Sequence, residues 1–99
     1  MKRLKNIHPG EILLEEFLKP LEISAYRLSK EINIPQTRLS KIINGDRRIS
    51  ADTAMRLSIY FSNSPKFWLG LQDDYDIEEA TLVKKSEFSK IEHLHINTH

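Results

Sequence analysis

Apolar positions recur at helical spacing through most of this chain, and no segment before residue 85 alternates as a strand would. Ile12, Leu13, Leu14, Phe17 and Leu18 share one broad side of a helix from Glu11 to Leu18, with Glu11, Glu15 and Glu16 opposite. Pro9 suits its first position, where a missing N–H costs nothing, and the early carboxylates favour the positive end of the helix dipole. Pro20 is expected to end it, because the residue before a proline resists the helical region. A second helix, capped by Ser24, carries Ala25, Leu28 and Ile32, with the small Ser29 at a close crossing. A third starts at Pro35 and stops before Gly45, a natural left-handed cap. Ser50 caps a fourth, whose dipole Asp52 complements and whose buried face is Ala54, Leu57, Ser58 and Phe61. Ser64-Pro65 opens a fifth, in which Phe67, Trp68, Leu71 and Tyr75 recur at helical spacing. The fold class is therefore all-α, with five helices.

The signal weakens beyond Ala80. Apolar residues at 88, 91, 94 and 96 fit a short helix for the first three and a strand for the last two, and the terminal Ile96-Asn97-Thr98-His99 is expected to fray. The pattern divides the chain into a helical domain, 1–83, and a C-terminal tail, 84–99, that needs its own domain or a second subunit to pack on.

The second and third helices are separated by a tight hinge, Asn33-Ile34-Pro35-Gln36, within a core of residues 24–45. Two short helices joined this way, the second polar on one side, form the arrangement that places a helix in the DNA major groove. In that helix Leu39, Ile42 and Ile43 define the inward side, so Thr37, Lys41 and Asn44 centre the outward one. Arg38 and Ser40 flank them, and Gln36 lies at the first turn. Gln can pair with adenine, Arg and Lys with guanine, Ser and Thr with either. Ser24 and Arg27 sit where the start of a helix can hold a phosphate, and Arg47 and Arg48 follow the Gly45 turn, where a loop can lie along the sugar-phosphate backbone.

Charge supports this only when it is divided. The net charge of +1 splits into +4 over residues 1–50 and −3 over residues 51–99. The basic half suits phosphates. The acidic run containing Asp73, Asp74 and Asp76 can receive a basic partner protein, with Glu11, Glu15 and Glu16 as a second candidate patch. A charge run is usually a solvated helix face, and that is the default reading for either patch. A reader this small normally binds double-stranded DNA as a two-fold homodimer, with recognition helices about 34 Å apart. The fifth helix and the tail are the spare elements for that contact, with Trp68, Leu71 and Tyr75 as candidate interface residues unless they form core.

Other functions find little support. The chain has no Cys, which excludes a disulfide framework and a thiolate zinc site and suits the cytoplasm. No apolar run approaches the ~20 residues that span a bilayer. His93 and His95 are two apart, and His8 stands before Glu11 and Glu15 at helical ligand spacing, yet the first pair lies in the tail with no clear third ligand and His8 precedes the helix proper. No metal or other cofactor is expected. With no Gly-rich phosphate loop, nucleophile elbow or secluded acid–base pair, neither is catalysis.

The segments HPGEILLEEFLKPLEIS, YRLSKEINIPQTRLSKIINGDRRISADTAMRL and FSNSPKFWLGLQDDYDIEEA together resemble the HigA/VapI family of antitoxins, a branch of the lambda-repressor-like, Xre-type helix-turn-helix proteins. The resemblance runs from about His8 to Ala80. It implies a five-helix homodimer that neutralises a co-encoded HigB toxin, a RelE-like mRNA endonuclease, and represses their shared operon by binding operator DNA. It also implies base readers at Gln36, Thr37 and Lys41 and a phosphate contact at Asn44. Ser29 departs from the Ala often found at that position, and the tail after Ala80 lies outside the resemblance. Members also occur as solitary regulators, so a stand-alone transcriptional repressor is the second reading, and a protein-interaction module is the third.

Overall fold

The computed structural model describes residues 5–95, and among these there are six helices and no strand. The first, α1, is one rod over residues 9–21 made of three consecutive segments. Pro9–Ile12 is α-helical, Leu13–Leu18 is π-helical, and Lys19–Leu21 is α-helical again. Four more follow: α2 (Ala25–Glu31), α3 (Gln36–Ile43), α4 (Ala51–Phe61) and α5 (Pro65–Val83), with a single turn, α6 (Lys85–Phe88), at the end.

The course of α1 corrects the expectation at Pro20, which lies inside the helix. A proline there donates no hydrogen bond, and its ring presses on the carbonyl four residues back. The π-helical stretch resolves the conflict: Lys19 donates its N–H to the Leu14 oxygen, five residues away, so the ladder has already widened before the ring arrives. The helix ends two residues later than the sequence suggests, at Glu22 in the left-handed region.

Left-handed residues close four of the helices, and only one is glycine. Glu22, Asn33, Gly45 and Ser62 have φ of 55°, 58°, 83° and 57°. After each, the next N–H reaches back across the last turn: Ile23 to the Leu18 oxygen, Ile34 to Ser29, Asp46 to Lys41 and Asn63 to Ser58. The connections are therefore short and fixed in direction.

The core is Leu13 and Leu18 of α1, Leu28 of α2, Ile32 and Ile34 of the hinge, Leu39 and Ile42 of α3, Ile49, Ala54 and Leu57 around α4, and Trp68 of α5. Trp68 is fully buried, within 5.0 Å of the rings of Phe17 and Phe67, and its indole N–H donates to the Asn63 side chain at 2.8 Å. It is core, which removes it from the candidate dimer contacts. Leu71 is half-buried against the same core, and Tyr75 is half-buried with its ring 4.8 Å from His8.

At the other end residues 84–95 are exposed. The helix anticipated over 88–94 is limited to the turn at Lys85–Phe88, and Ile91 and Leu94 are 72% and 84% exposed. The frayed segment anticipated at Ile96–His99 lies outside the described residues.

Candidate nucleic-acid interface

Asn33 takes the left-handed turn, Ile34 drops into the core, and Pro35 caps α3. With Leu39 and Ile42 completely buried, α3 is fixed in rotation about its axis. Gln36, Thr37, Lys41 and Asn44 then stand exposed on the opposite side, while Arg38 and Ser40 are half-buried at its margins. Among the described residues, neither Lys41 nor Arg47 has a side-chain hydrogen bond or ion pair, so both ends are available to a ligand.

Among the described residues, the remaining arginines are each restrained by a carboxylate. Arg27 donates to Glu31 at 3.2 Å, and the Tyr60 hydroxyl donates to the other oxygen of that carboxylate. The Tyr60 bond, with Arg27 second, holds the Glu31 carboxyl below its usual range, and the same bond raises Tyr60. Arg38 lies 4.0 Å from Asp52. Arg48 meets Asp76 at 2.6 Å. Ser24 accepts the Arg27 N–H at 3.0 Å, which caps α2 and leaves its O–H able to donate.

Four residues that build this surface were not legible as such. Arg56 donates to Asp52 at 3.0 Å and to the Ile32 and Asn33 carbonyls at 2.9 Å and 3.3 Å, tying α4 to the hinge. Gln72, buried, accepts the Ile49 N–H at 2.8 Å and donates to Asp76 at 2.9 Å. His8 caps α1 by accepting the Gly10 N–H at 2.9 Å, and its ring lies under Gly45. Burial lowers the His8 pKa below its usual value, against the opposing pull of Asp76 and then Asp46. Gly10 is buried where any side chain would strike the Ile42 carbonyl. The opening HPGE is thus a docking device: a cap, a helix-starting proline, and a glycine that lets α1 touch the end of α3.

The acidic candidates separate into different circumstances. Glu11 pairs with Lys5 at 3.3 Å and Glu15 with Lys19 at 2.5 Å, while Glu16, Asp73 and Asp74 are exposed. Asp76 belongs with Arg48 and Gln72, inside the basic surface. Among the described residues no three His, Asp or Glu side chains gather into a metal-binding group, and no helix is long and apolar enough to cross a membrane.

Residues 14–68 match the helix-turn-helix family model. Virulence-associated protein I of Dichelobacter nodosus is 45% identical over 80 residues, covering 81% of this chain and 74% of that protein. Among solved structures, the Pseudomonas aeruginosa antitoxin HigA with higBA promoter superposes with a TM-score of 0.87 at 37% identity, covering 92% of this chain and all (100%) of the other. A HigA-family addiction module antidote protein from Coxiella burnetii gives 0.86 at 43% identity, covering 93% and 100%.

Proposed function

Because the chain belongs to the helix-turn-helix family of HigA- and VapI-type proteins, we propose that it is an operator-binding antitoxin that represses its own operon and neutralises a co-encoded HigB-like toxin. The observation that carries the DNA half is α3: its inward face is locked in the core while Gln36, Thr37, Lys41 and Asn44 project together. Gln36 and Lys41 are the side chains that read base edges by paired hydrogen bonds, and Thr37 and Ser40 contact either bases or backbone. Arg27, Arg47, Arg48 and the Asn44 turn serve the phosphates, with Arg38 at the margin of the face. Counterion release from those contacts makes binding fall steeply with salt.

Two copies bind a pseudo-palindrome, with recognition helices about 34 Å apart. The surface offered to a second copy is the far end of α5 with the tail, where Ile77, Val83, Ile91 and Leu94 are all more than half exposed. Exposed apolar side chains concentrated in one stretch of the chain support that choice over a scattered surface. On this reading 1–83 is the DNA-binding unit and 84–99 is a dimerisation extension. Leu71 and Tyr75 contribute only their exposed edges. Glu11, Glu15, Glu16, Asp73 and Asp74 are the groups offered to a basic toxin, in the cytoplasm where operator and ribosome are found.

An electrophoretic shift on the DNA upstream of the gene, with and without the product of the adjoining gene, tests the proposal. A shift that this product supershifts or dissolves is the expected result. A shift indifferent to it makes the chain a stand-alone repressor. No shift leaves only a protein-interaction role.

A further inference from the structure

A chain of three contacts joins the loop after α3 to α5. Gln72, only 2% exposed, accepts the Ile49 N–H at 2.8 Å. Its amide N–H donates at 2.9 Å to one oxygen of Asp76, whose second oxygen receives the Arg48 guanidinium at 2.6 Å. The carboxylate is therefore fixed from behind by a buried side chain before it meets the arginine. Asp73 and Asp74, on the same helix, are exposed, and among the described residues neither has a comparable partner. Nor has Arg47, immediately before Arg48.

The Arg48–Asp76 pair is largely solvent-exposed, with side-chain accessibilities of 61% and 36%, and surface pairs contribute little to stability. What the arrangement does supply is direction. A free arginine samples many rotamers and is attracted to any phosphate, whereas one held by a fixed carboxylate presents its remaining N–H groups along one line. The carboxylate also cancels part of the charge that drives sequence-independent binding. Both effects favour a correctly shaped site over an arbitrary duplex.

We propose that Asp76, fixed by Gln72, is a positioning residue that aims Arg48 and thereby sets the selectivity of DNA binding. This rests on the reading that Arg48 meets the DNA backbone. Fluorescence anisotropy on the upstream operator duplex and on a scrambled duplex of equal length, over a KCl series, tests it, with melting curves monitoring the fold.

Arg48→Ala is expected to weaken operator binding and make the log–log salt slope shallower, by less than the about 0.9 of an unpaired phosphate contact, because Asp76 already offsets part of its charge. Asp76→Asn should reduce the operator-to-scrambled preference on the order of tenfold, the effect of one misplaced charge-assisted contact. Asp73→Asn, which makes the same change in charge, should leave the preference intact. In the Arg48→Ala background, Asp76→Asn should change the preference no further, which a merely structural role would not produce.

The proposal is overturned if Asp76→Asn behaves like Asp73→Asn, or if its effect persists undiminished without Arg48. Should Arg48→Ala alter neither affinity nor slope, Arg48 is not a contact and the positioning role falls with it. Operator binding itself is then judged separately, by substitution of Lys41.

Discussion

Replacing Gly10 by alanine should separate α1 from the recognition helix. A methyl group there would lie 1.7 Å from the Ile42 carbonyl oxygen, 2.6 Å from its carbon and 3.0 Å from the Ile43 Cα. Real Cβ contacts essentially never fall below 3.0 Å, so α1 must withdraw by roughly 1.3 Å. The obstacle is the main chain of α3, held by buried Leu39 and Ile42, and it has no rotamer to change. Overpacking generally costs ~1–3 kcal/mol, and an unyielding partner puts this case at about the upper end. At ~4–8 °C per kcal/mol for a domain of this size, the melting temperature should drop by about 12–24 °C. Thermal and urea unfolding at fixed protein concentration read the change. Gly70→Ala is the control: nothing lies within 4 Å of its would-be Cβ, and alanine in mid-helix should stabilise by about 0.5–1 kcal/mol. If Gly10→Ala melts with the wild type, the close approach of the two helices is wrong.

Three other perturbations test separate parts of the structure. Lys41→Ala should weaken operator binding and flatten its log–log salt dependence by about 0.9; unchanged affinity at moderate salt would refute the role of the α3 face. Trp68→Ala removes a fully buried indole and its bond to Asn63, and should cost about 3–5 kcal/mol in urea unfolding; a loss below about 1 kcal/mol would mean that Trp68 is not core. His8 is shifted below the usual histidine value of 6.5 chiefly by burial, so around and below that pH the unfolded chain binds more protons than the folded one. Its contribution to stability is therefore complete above pH 6.5 and shrinks as pH falls through the lowered folded value. His8→Asn, which keeps a capping acceptor, should flatten the pH dependence of unfolding between about pH 7.5 and 5.5, and an unaltered slope would remove the ring as its source.

How much of this was legible depended on whether a feature is local in sequence. Ser24, Ser50 and Ser64 each announce a helix start, because a cap and the N–H it satisfies lie three residues apart. The α3 face could be derived because two or three apolar positions fix the rotation of a short helix. Pro20 misled because the local rule describes an α-helical ladder, and the chain instead widens to a π-helix beforehand. Gly10 could not be recognised as a contact, since its reason is the carbonyl of Ile42, which is 32 positions along the chain and near only after folding. Gln72 and Arg56 were invisible for the same cause: their acceptors and donors, at Ile49, Ile32 and Asn33, lie on other elements. Trp68 has the helical spacing of core and of interface alike, and only its burial decides between them.

The division of charge, read along the chain as a basic half and an acidic half, acquires a different meaning in three dimensions. Asp52 and Asp76 come from the acidic half, yet they stand among the arginines of the basic one, against Arg38 and Arg48. The +4 of the first half is therefore not a bare attractive field: Arg27, Arg38 and Arg48 reach the candidate interface already paired, while among the described residues Lys41 and Arg47 reach it free. Pairs this exposed add little stability, so their effect falls on placement and on the strength of sequence-independent attraction. A surface built this way trades raw affinity for discrimination. The two free cations mark where the steepest salt dependence should reside, and the paired ones mark where selectivity should be lost first.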